Sequence, residues 1–584
     1  MKGFFKTFFA ALLALLVVAL LPVVILVATL SSTLSSESVV VEPNSVLHID
    51  LAESIYDSPR MPTVASSASG SFEIVKSLTT LQVVQALECA KTDPNIEGIY
   101  ICQQGVGTIE GTAQIEELRA LLDEFKRDSG KFVVAYSEAY TQGMYWLSAG
   151  ADKIFINPEG AFDWRGLASQ NIFFKGLLDK LGVDVQIVRH GTFKSAVEPY
   201  ITTRMSEANR LQSETMIKSM WDVMLSDVAL GRNLSPAYLD AHASNLAIDS
   251  PAKAVELGFV DATAYEDEVM DYLAEQSGTE EPKLVSLGDY CSTLTETKIS
   301  PNKVAIIYAD GQIIDGVGGE GVIGGATTAD QIRRAREDKN VKAVVLRVNS
   351  PGGSALASEV MWRELQLLKN EKPIVVSMSN YAASGGYYIS TPADCVVSNR
   401  TTLTGSIGVF GLIISGRDAL KDKLGVTVDV AKSNPHADMG SMFRPLTWSE
   451  LQFMQRSVED VYATFIGHVA EGRDMTTEEV DKIGQGRVWS GVDAMQIGLV
   501  DEFGGLKEAL VIAAEKAELG TNYRVVEILE EGDELTQLMN TLLSAKASVK
   551  NNELGEALRH YNAIRLMVEE GGVQARIPYD ITIY

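Results

Sequence analysis

An internal duplication constrains this chain more than any other feature of its sequence. Four blocks recur in the same order at offsets of 258, 242, 243 and 240 residues: 43–46 with 301–304, 145–152 with 387–394, 180–183 with 423–426, and 258–261 with 498–501. Chance similarity would not keep one order across four blocks. A period this long indicates a duplicated domain rather than a solenoid of short repeats.

The duplication divides the 584 residues into four parts, since the chain is too long for a single core. The predicted parts are residues 1–36 (cytoplasmic stub, membrane anchor and spacer), 37–295 (N-terminal repeat), 296–520 (C-terminal repeat) and 521–584 (C-terminal appendage). The larger offset at the start predicts an insertion early in the first repeat. The Pro- and Ser-rich residues 58–71 fit that insertion.

Each repeat alternates short apolar strands with amphipathic helices. In the second repeat the strand patterns cover residues 304–308, 341–346 and 373–377, and a helix pattern covers 357–369 between the last two. Such alternation is typical of βαβ units around a buried, largely parallel sheet. The sequence therefore predicts an α/β fold in tandem duplication.

The N-terminus predicts a membrane anchor. Lys2 and Lys6 precede an uncharged apolar run over residues 8–28. As a helix, this run would span about 31 Å, which is enough to cross a bilayer core. The run is longer than the apolar core of a signal peptide and lacks a small-x-small exit, so we expect it to stay uncleaved. The lysines should remain in the cytoplasm, which places everything after Ser31 on the far side.

Composition excludes several other classes. The formal net charge of −27 repels nucleic acid, so no nucleic-acid partner is expected. The four cysteines are far apart with no CxxC pair, and no HExxH motif is present, so neither a metal site nor a cofactor is predicted. The redox state of the cysteines is left open.

Three glycine- and serine-rich segments of the second repeat are candidates for chemistry. Gly352 and Gly353 follow an apolar strand and could turn backbone N–H groups towards an oxyanion. Ser384 follows the next strand between small residues, a pattern that resembles a nucleophile elbow. Ser406 lies between two glycines that allow close substrate approach. Each segment alone is also compatible with an ordinary tight turn.

Two further patterns are weaker candidates. Residues 316–321 match GxGxxG, but no helix opens directly from them, so we interpret the segment as a loop rather than a dinucleotide site. His190 and His436 lie near the candidate lysine and its counterpart in the other repeat. They fall outside the matching motifs, and we interpret them as solvated or hydrogen-bonded side chains.

The combination of segments resembles the signal peptide peptidase A family, also called protease IV. The segments NSPGGS (349–354), ASGGYY (383–388) and LTGSIGVF (403–410) resemble its signature, and FKSAVEPY (193–200) resembles the lysine motif of its long, duplicated branch. The resemblance covers nearly the whole chain after the anchor. It implies a Ser-Lys dyad with Ser406 as nucleophile and Lys194 as general base. Ser384 matches the serine of the related Clp proteases and is expected not to be the nucleophile.

The resemblance also implies a fold, a location and partners. The expected fold is two crotonase-like or Clp-like ββα domains. The expected substrates are cleaved signal peptides, hydrolysed through an acyl-enzyme at the periplasmic side of a bacterial cytoplasmic membrane. The expected assembly is a bowl-shaped homotetramer anchored by single-pass helices. The cleavage-site preference and the oligomer size do not follow from the sequence itself.

The duplication supports the dyad independently of the family. At an offset of 242 Trp164 lies opposite Ser406, and at 243 Ala437 lies opposite Lys194, so each repeat lacks what the other keeps. One composite site per chain is predicted, in which Lys194 must be desolvated to act as a base. Whether the dyad forms within one chain or between neighbours is left open. An acyl-CoA hydratase or isomerase of the same fold and a non-catalytic membrane scaffold are the alternatives.

Overall fold

The computed structural model describes residues 39–51, 53–60, 63–66, 72–75, 77–103, 111–294, 300–530 and 573–576. The predicted anchor over residues 8–28 lies outside them and stays a prediction. Within the described ranges, no helix is both long enough and apolar enough to cross a membrane. All four cysteines are unpaired thiols.

The N-terminal repeat consists of eleven strands and ten helices in the described part of the chain. The strands are β1 (Ser45–Asp50), β2 (Ile55–Tyr56), β3 (Thr63–Ser66), β4 (Phe72–Val75), β5 (Leu78–Thr79), β6 (Ile96–Gln103), β7 (Phe132–Tyr140), β8 (Lys153–Phe162), β9 (Asp184–His190), β10 (Ala262–Thr263) and β11 (Lys283–Ser286). The helices are α1 (Thr80–Thr92), α2 (Thr112–Ser129), α3 (Gln142–Ser148), α4 (Lys175–Leu181), α5 (Glu198–Ile201), α6 (Glu207–Arg232), α7 (Pro236–Ser244), α8 (Pro251–Glu256), α9 (Glu266–Ser277) and α10 (Leu287–Thr293).

The C-terminal repeat follows the same plan, and its last two strands come from the C-terminal part of the chain. The strands are β12 (Lys303–Asp310), β13 (Gln312–Ile314), β14 (Val322–Gly324), β15 (Val341–Ser350), β16 (Gly352–Ser354), β17 (Ile374–Ala383), β18 (Cys395–Ser398), β19 (Leu403–Gly405), β20 (Val409–Ser415), β21 (Val488–Ser490), β22 (Glu502–Phe503), β23 (Arg524–Glu527) and β24 (Val573–Arg576). The helices are α11 (Gly325–Glu337), α12 (Ala355–Lys369), α13 (Gly385–Ser390), α14 (Trp448–Arg473), α15 (Thr477–Ile483), α16 (Gly491–Gln496) and α17 (Leu506–Lys516).

The strand order confirms both the α/β class and the duplication. The first sheet runs β10-β8-β7-β6-β1-β11, and the second contains the matching path β22-β18-β17-β15-β12-β23. Every pair along both paths is parallel. The central strands are almost wholly buried, as in β15, because helices cover both faces of a parallel sheet. The narrower assignment to a crotonase-like or Clp-like fold stays a prediction.

A third sheet joins the two repeats. Its order is β14-β13-β16-β24-β20-β9, so strand β9 of the first repeat pairs with β20 of the second. The pairing is antiparallel over seven residues, from Val409 opposite His190 to Ser415 opposite Asp184. Lys194 follows β9 directly in the sequence, and Ser406 precedes β20. This junction therefore brings the two repeats together at the predicted site residues.

A buried cluster of charges also connects the repeats. Arg347, on β15, donates to Asp57 at 2.9 Å through Nε and to Glu117 at 2.7 Å through Nη2. The Arg347 side chain is 1% exposed, and those of its two partners are 1% and 4% exposed. Ser379 also donates to Asp57. Because each charge has a partner in the other repeat, the cluster fixes how the two repeats dock.

Candidate active site

Lys194 is wholly buried at the junction of the repeats. It follows β9 at the start of a short 3-10 turn, Ser195–Val197, and its relative exposure is 0%. Gly486 of the second repeat packs against it so closely that a Cβ on Gly486 would lie 2.7 Å from that of Lys194. Burial alone lowers the pKa of Lys194 well below its ordinary value. Burial favours the neutral amine over the ammonium, and the neutral amine can accept a proton.

Ser384 lies at the sharp turn between β17 and α13. Its φ of 56° and ψ of −112° fall outside the regions that serine ordinarily adopts. Such strain costs about 1–3 kcal/mol and is typical of active sites, including the nucleophile elbow between a strand and a helix. The backbone N–H of Ser384 donates to Gly405 at 2.8 Å, which holds the turn against β19.

Ser406 lies just after β19 on the other side of the lysine. Its backbone N–H donates to the carbonyl of Arg487 at 2.7 Å. Its hydroxyl lies 3.4 Å from the carbonyl oxygen of Gly486, to which it donates. Its own carbonyl oxygen accepts a hydrogen bond from Lys194 Nζ at 3.1 Å. Ser406 is therefore hydrogen-bonded to Arg487 through its N–H, to Lys194 through its carbonyl and to Gly486 through its hydroxyl.

The structure brings Lys194 together with both serines. Lys194 Nζ lies 2.8 Å from Ser384 Oγ and 3.0 Å from Ser406 Oγ. All three residues are 0% exposed. The sequence predicted a site that joins Lys194 to Ser406. It did not predict the contact with Ser384, although the elbow pattern around that residue was the signal that could have shown it.

The predicted oxyanion glycines lie beside Ser384. A Cβ on Gly385, the residue after the serine, would lie 3.2 Å from Gly352 Cα. Gly352 adopts a φ of 99°, and its N–H donates to Ser350 Oγ at 3.2 Å. Gly353 packs against β13, where a Cβ would meet the carbonyl oxygen of Ile313 at 1.9 Å, so only glycine fits. Their role as oxyanion donors stays a prediction.

A peptide backbone runs past these glycines. Strand β24 lies between β16 and β20 and pairs antiparallel with both. Ala575 is opposite Gly353, and Gln574 is opposite both Ser354 and Phe410. The gap between β16 and β20 therefore accepts one extended strand through main-chain hydrogen bonds, beside the glycine turn and Ser384.

The other residues and segments singled out in the sequence make packing or hydrogen-bond contacts, or form a loop. The ring of His190 stacks on Tyr462 at 3.9 Å, and His436 lies 3.0 Å from Glu450. Trp164, the counterpart of Ser406, is 3% exposed and packs in the core of the first repeat. The GxGxxG segment is a loop between β13 and β14. Within the described ranges, no cluster of side chains could hold a metal ion.

Two α/β repeats that enclose a buried lysine and two serine hydroxyls beside a glycine turn define a serine hydrolase. The family model described as Peptidase family S49 matches residues 125–280 and 366–520, once in each repeat. The chain belongs to this family and is a serine protease. The resemblance to signal peptide peptidase A, or protease IV, is thereby confirmed, and the alternatives of a hydratase and a scaffold are set aside.

Similar proteins extend over most of the chain. Protease 4 of Salmonella typhi is 40% identical over 490 residues, which cover 81% of this chain and 78% of that protein. Protease 4 of Haemophilus influenzae is 35% identical over 534 residues, covering 87% of this chain and 85% of that protein. The chloroplastic serine protease SPPA of Arabidopsis thaliana is 32% identical over 502 residues, covering 84% and 72%.

Proposed function

We propose that this chain is an endopeptidase that uses Lys194 as general base and a serine of the second repeat as nucleophile. The observation that carries the proposal is the buried Lys194 amine within 3.0 Å of two serine hydroxyls. A serine hydroxyl needs a base to become nucleophilic, and a lysine serves as that base only when it is neutral. The burial of Lys194 lowers its pKa and so favours the neutral form.

We infer that Ser406 is the serine that attacks, as the family resemblance implies. Lys194 Nζ lies 3.0 Å from Ser406 Oγ and 3.1 Å from the Ser406 carbonyl oxygen, so two contacts hold the base against this residue. Ser406 adopts a φ of 49°, in the left-handed region, and strain of this kind is typical of active sites. Ser384, whose Oγ lies 2.8 Å from the same amine, is the alternative nucleophile.

The contacts of Ser384 fit a positioning role. Its hydroxyl accepts a hydrogen bond from Lys194 Nζ at 2.8 Å. Its backbone N–H donates to the carbonyl of Gly405, the residue before Ser406, at 2.8 Å. We therefore assign Ser384 the role of positioning the Lys194 amine beside Ser406. Ser384 as nucleophile, on its strained elbow beside the Gly352–Gly353 turn, is the alternative that the experiment below separates.

The proposed reaction proceeds in two steps. Ser406 Oγ attacks the peptide carbonyl while its proton moves to Lys194 Nζ, and N–H groups near Gly353 stabilise the oxyanion. The lysine passes the proton to the leaving amine as the peptide bond breaks, which leaves an acyl-enzyme on Ser406. A water molecule then attacks the ester and gives a proton to the same lysine, which returns it to Ser406 Oγ as the acid is released.

Labelling with a fluorophosphonate tests the proposal, because the reagent modifies only an activated serine. We expect the wild type to be labelled at Ser406, as mapped by peptide mass spectrometry. Ser406→Ala and Lys194→Ala should not be labelled, and Ser384→Ala should be labelled slowly at Ser406. Labelling at Ser384 would establish the alternative, and no labelling of any folded form would refute a serine nucleophile.

For the substrate we propose extended peptides, with cleaved signal peptides as the class. The gap between β16 and β20 supports the extended conformation, because it pairs with a peptide backbone on both sides. A putative signal peptide peptidase SppA of Enterococcus faecium, 41% identical over 183 residues that cover 31% of this chain and 52% of that protein, supports the class. Synthetic signal peptides should be cleaved faster than folded proteins, since only unfolded chains can pair in the gap.

For the location we propose anchoring by residues 8–28, with both repeats on the periplasmic side of a bacterial inner membrane. The support is the length of the apolar run and the lysines that precede it. Protease added to spheroplasts should digest the repeats and leave a membrane-bound N-terminal fragment. For the assembly we propose a homotetramer, as the family resemblance implies.

A further inference from the structure

Because the sequence is duplicated, each of the paired strands β9 and β20 has an equivalent segment in the other repeat. These two equivalent segments do not pair with each other in the single chain. At the offset of 243 the residues equivalent to β9 are 427–433, and at 242 those equivalent to β20 are 167–173. Both segments are described and neither belongs to a helix or strand. Among the described residues, neither segment forms a main-chain hydrogen bond to another part of the chain.

Both segments have the surface of strands that lack a partner. Residues 427–433 are exposed throughout, with Val428 and Val430 at 47% and 46% exposure. In residues 167–173 exposed and half-buried positions alternate, as in a strand with one face against the protein. Ile172, on the exposed face, is 55% exposed. Unpaired apolar edges of this kind favour pairing with another chain.

We propose that residues 427–433 of one copy pair antiparallel with residues 167–173 of the next copy. The register follows from the pairing within the chain, where Val185 is opposite Ile414. Its counterpart places Val428 opposite Ile172 and Asp429 opposite Asn171. Asn171 Nδ2 is buried without a hydrogen-bond acceptor in the described part of the chain, and a facing carboxylate would supply one. The proposal rests on the proposed oligomer and names its surfaces.

A second contact between the repeats also has an equivalent pair of residues that do not meet in the single chain. Within the chain, the carbonyl of Gly182 accepts from the N–H of Ala419 at 2.9 Å, and the two residues are packed together. The equivalent residues are Gly425 and Leu177. A Cβ on Gly425 would meet no described residue within 4 Å, and Leu177 is 53% exposed. The neighbouring copy would fill this position in the same way.

The proposed contact is heterologous, because two different segments meet. Repetition of such a contact generates a ring when the rotation closes. The junction between two chains then has the same strand pairing as the junction between two repeats. In that ring each chain is a subunit that contributes two repeats, so a tetramer would contain eight repeats in equivalent positions.

Disulfide trapping of the full-length chain in detergent tests the contact without using activity. The variant with both Ile172→Cys and Val428→Cys should form a ladder of dimers and larger species on mild oxidation. A mixture of the two single variants should form dimers only. Each single variant alone, and the wild type with its native cysteines, should stay uncross-linked. The pair Ile172→Cys and Asp429→Cys, one residue out of register, is the matched control and should cross-link at least about tenfold more slowly, since successive side chains face opposite sides.

Three results would overturn the proposal. These are no ladder from the double variant, equal cross-linking by the out-of-register pair, or efficient dimers from one single variant, which would indicate a twofold contact instead. Fluorophosphonate labelling of the same samples separates this failure from failure of the proposed function. Val428→Lys should reduce the mass measured by light scattering, whereas Leu230→Lys, at an exposed position elsewhere, should leave it unchanged.

Discussion

Lys194 Nζ lies 2.8 Å from Ser384 Oγ, although the two residues are 190 positions apart and belong to different repeats. Among the residues that the structure describes, the lysine has no charged partner, and burial is what lowers its pKa. The packing of the two repeats that buries the amine also brings it into contact with this hydroxyl. Activity and the docking of the two repeats are therefore expected to be lost together.

The two serines should respond differently to removal. Ser406→Ala should reduce kcat/KM on a peptide substrate by about 10⁴-fold or more, as loss of a nucleophile does in serine proteases. Ser384→Ala should reduce kcat by about 10–100-fold and change KM little, because the lysine loses a positioning contact. Ser384→Gly also lacks the hydroxyl but suits the φ of 56° at this turn, so it should lose the same activity if the hydroxyl is what matters. A larger loss in Ser384→Ala than in Ser406→Ala would establish Ser384 as the nucleophile.

Lys194 should not be replaceable by arginine. Arginine stays protonated in proteins, so Lys194→Arg should be as inactive as Lys194→Ala. In the wild type, kcat/KM should rise about tenfold per pH unit below the lysine pKa and then level off, because the neutral amine is the active form. Rates measured over a pH series check this. Near-normal turnover of Lys194→Arg would exclude the lysine as base.

The buried lysine should also make the free energy of unfolding depend on pH. Its pKa is well below the ordinary value in the folded chain and about 10.4 in the unfolded chain. Between these values the unfolded state binds one more proton, so stability rises with pH. Relative to Lys194→Met, the wild type should gain up to about 1.4 kcal/mol per pH unit. Urea midpoints measured at a series of pH values check this, with the exposed Lys218→Met as a control that should show no gain.

The sequence predicted the parts of this molecule that depend on local pattern or on internal comparison. The βαβ alternation, the duplication and the joining of Lys194 to Ser406 are all found in the structure. The reciprocal losses at Trp164 and Ala437 indicated that one composite site would form. The local rules worked there because each repeat contains its own sheet and core.

The sequence did not predict contacts that depend on how distant segments pack. The sequence did not place Ser384 against Lys194, because the distance between them is a property of the docked repeats. The position of β24 between β16 and β20 carries no sequence signal, since main-chain pairing is nearly independent of side chains. Asp57 lies just before a segment interpreted as an insertion, and nothing in its neighbourhood marks it as the partner of Arg347.

The Arg347 cluster should be essential for docking. Asp57→Ala leaves the buried guanidinium with one fewer partner, which is expected to cost about 3–5 kcal/mol. Urea unfolding should shift to lower concentration, and fluorophosphonate labelling should fall in parallel, because the site forms only between docked repeats. Asp418→Ala, which breaks an ion pair with Arg417 whose side chain is 54% exposed, is the matched control and should change neither. Loss of stability with full labelling would separate the cluster from the site.

The strand at 573–576 should compete with substrate, because it pairs with the same two edges that a peptide would use. A tethered strand competes at an effective concentration of about 1 mM, so its removal should lower KM for a peptide several-fold and leave kcat unchanged. A chain that ends after Glu530 tests this, since the described core is kept. Gln574→Pro should act in the same direction, because proline removes the N–H that pairing requires. Gln574→Ala keeps that N–H and should behave as the wild type. If the shortened chain instead showed a higher KM, the strand would be part of the substrate site rather than a competitor for it.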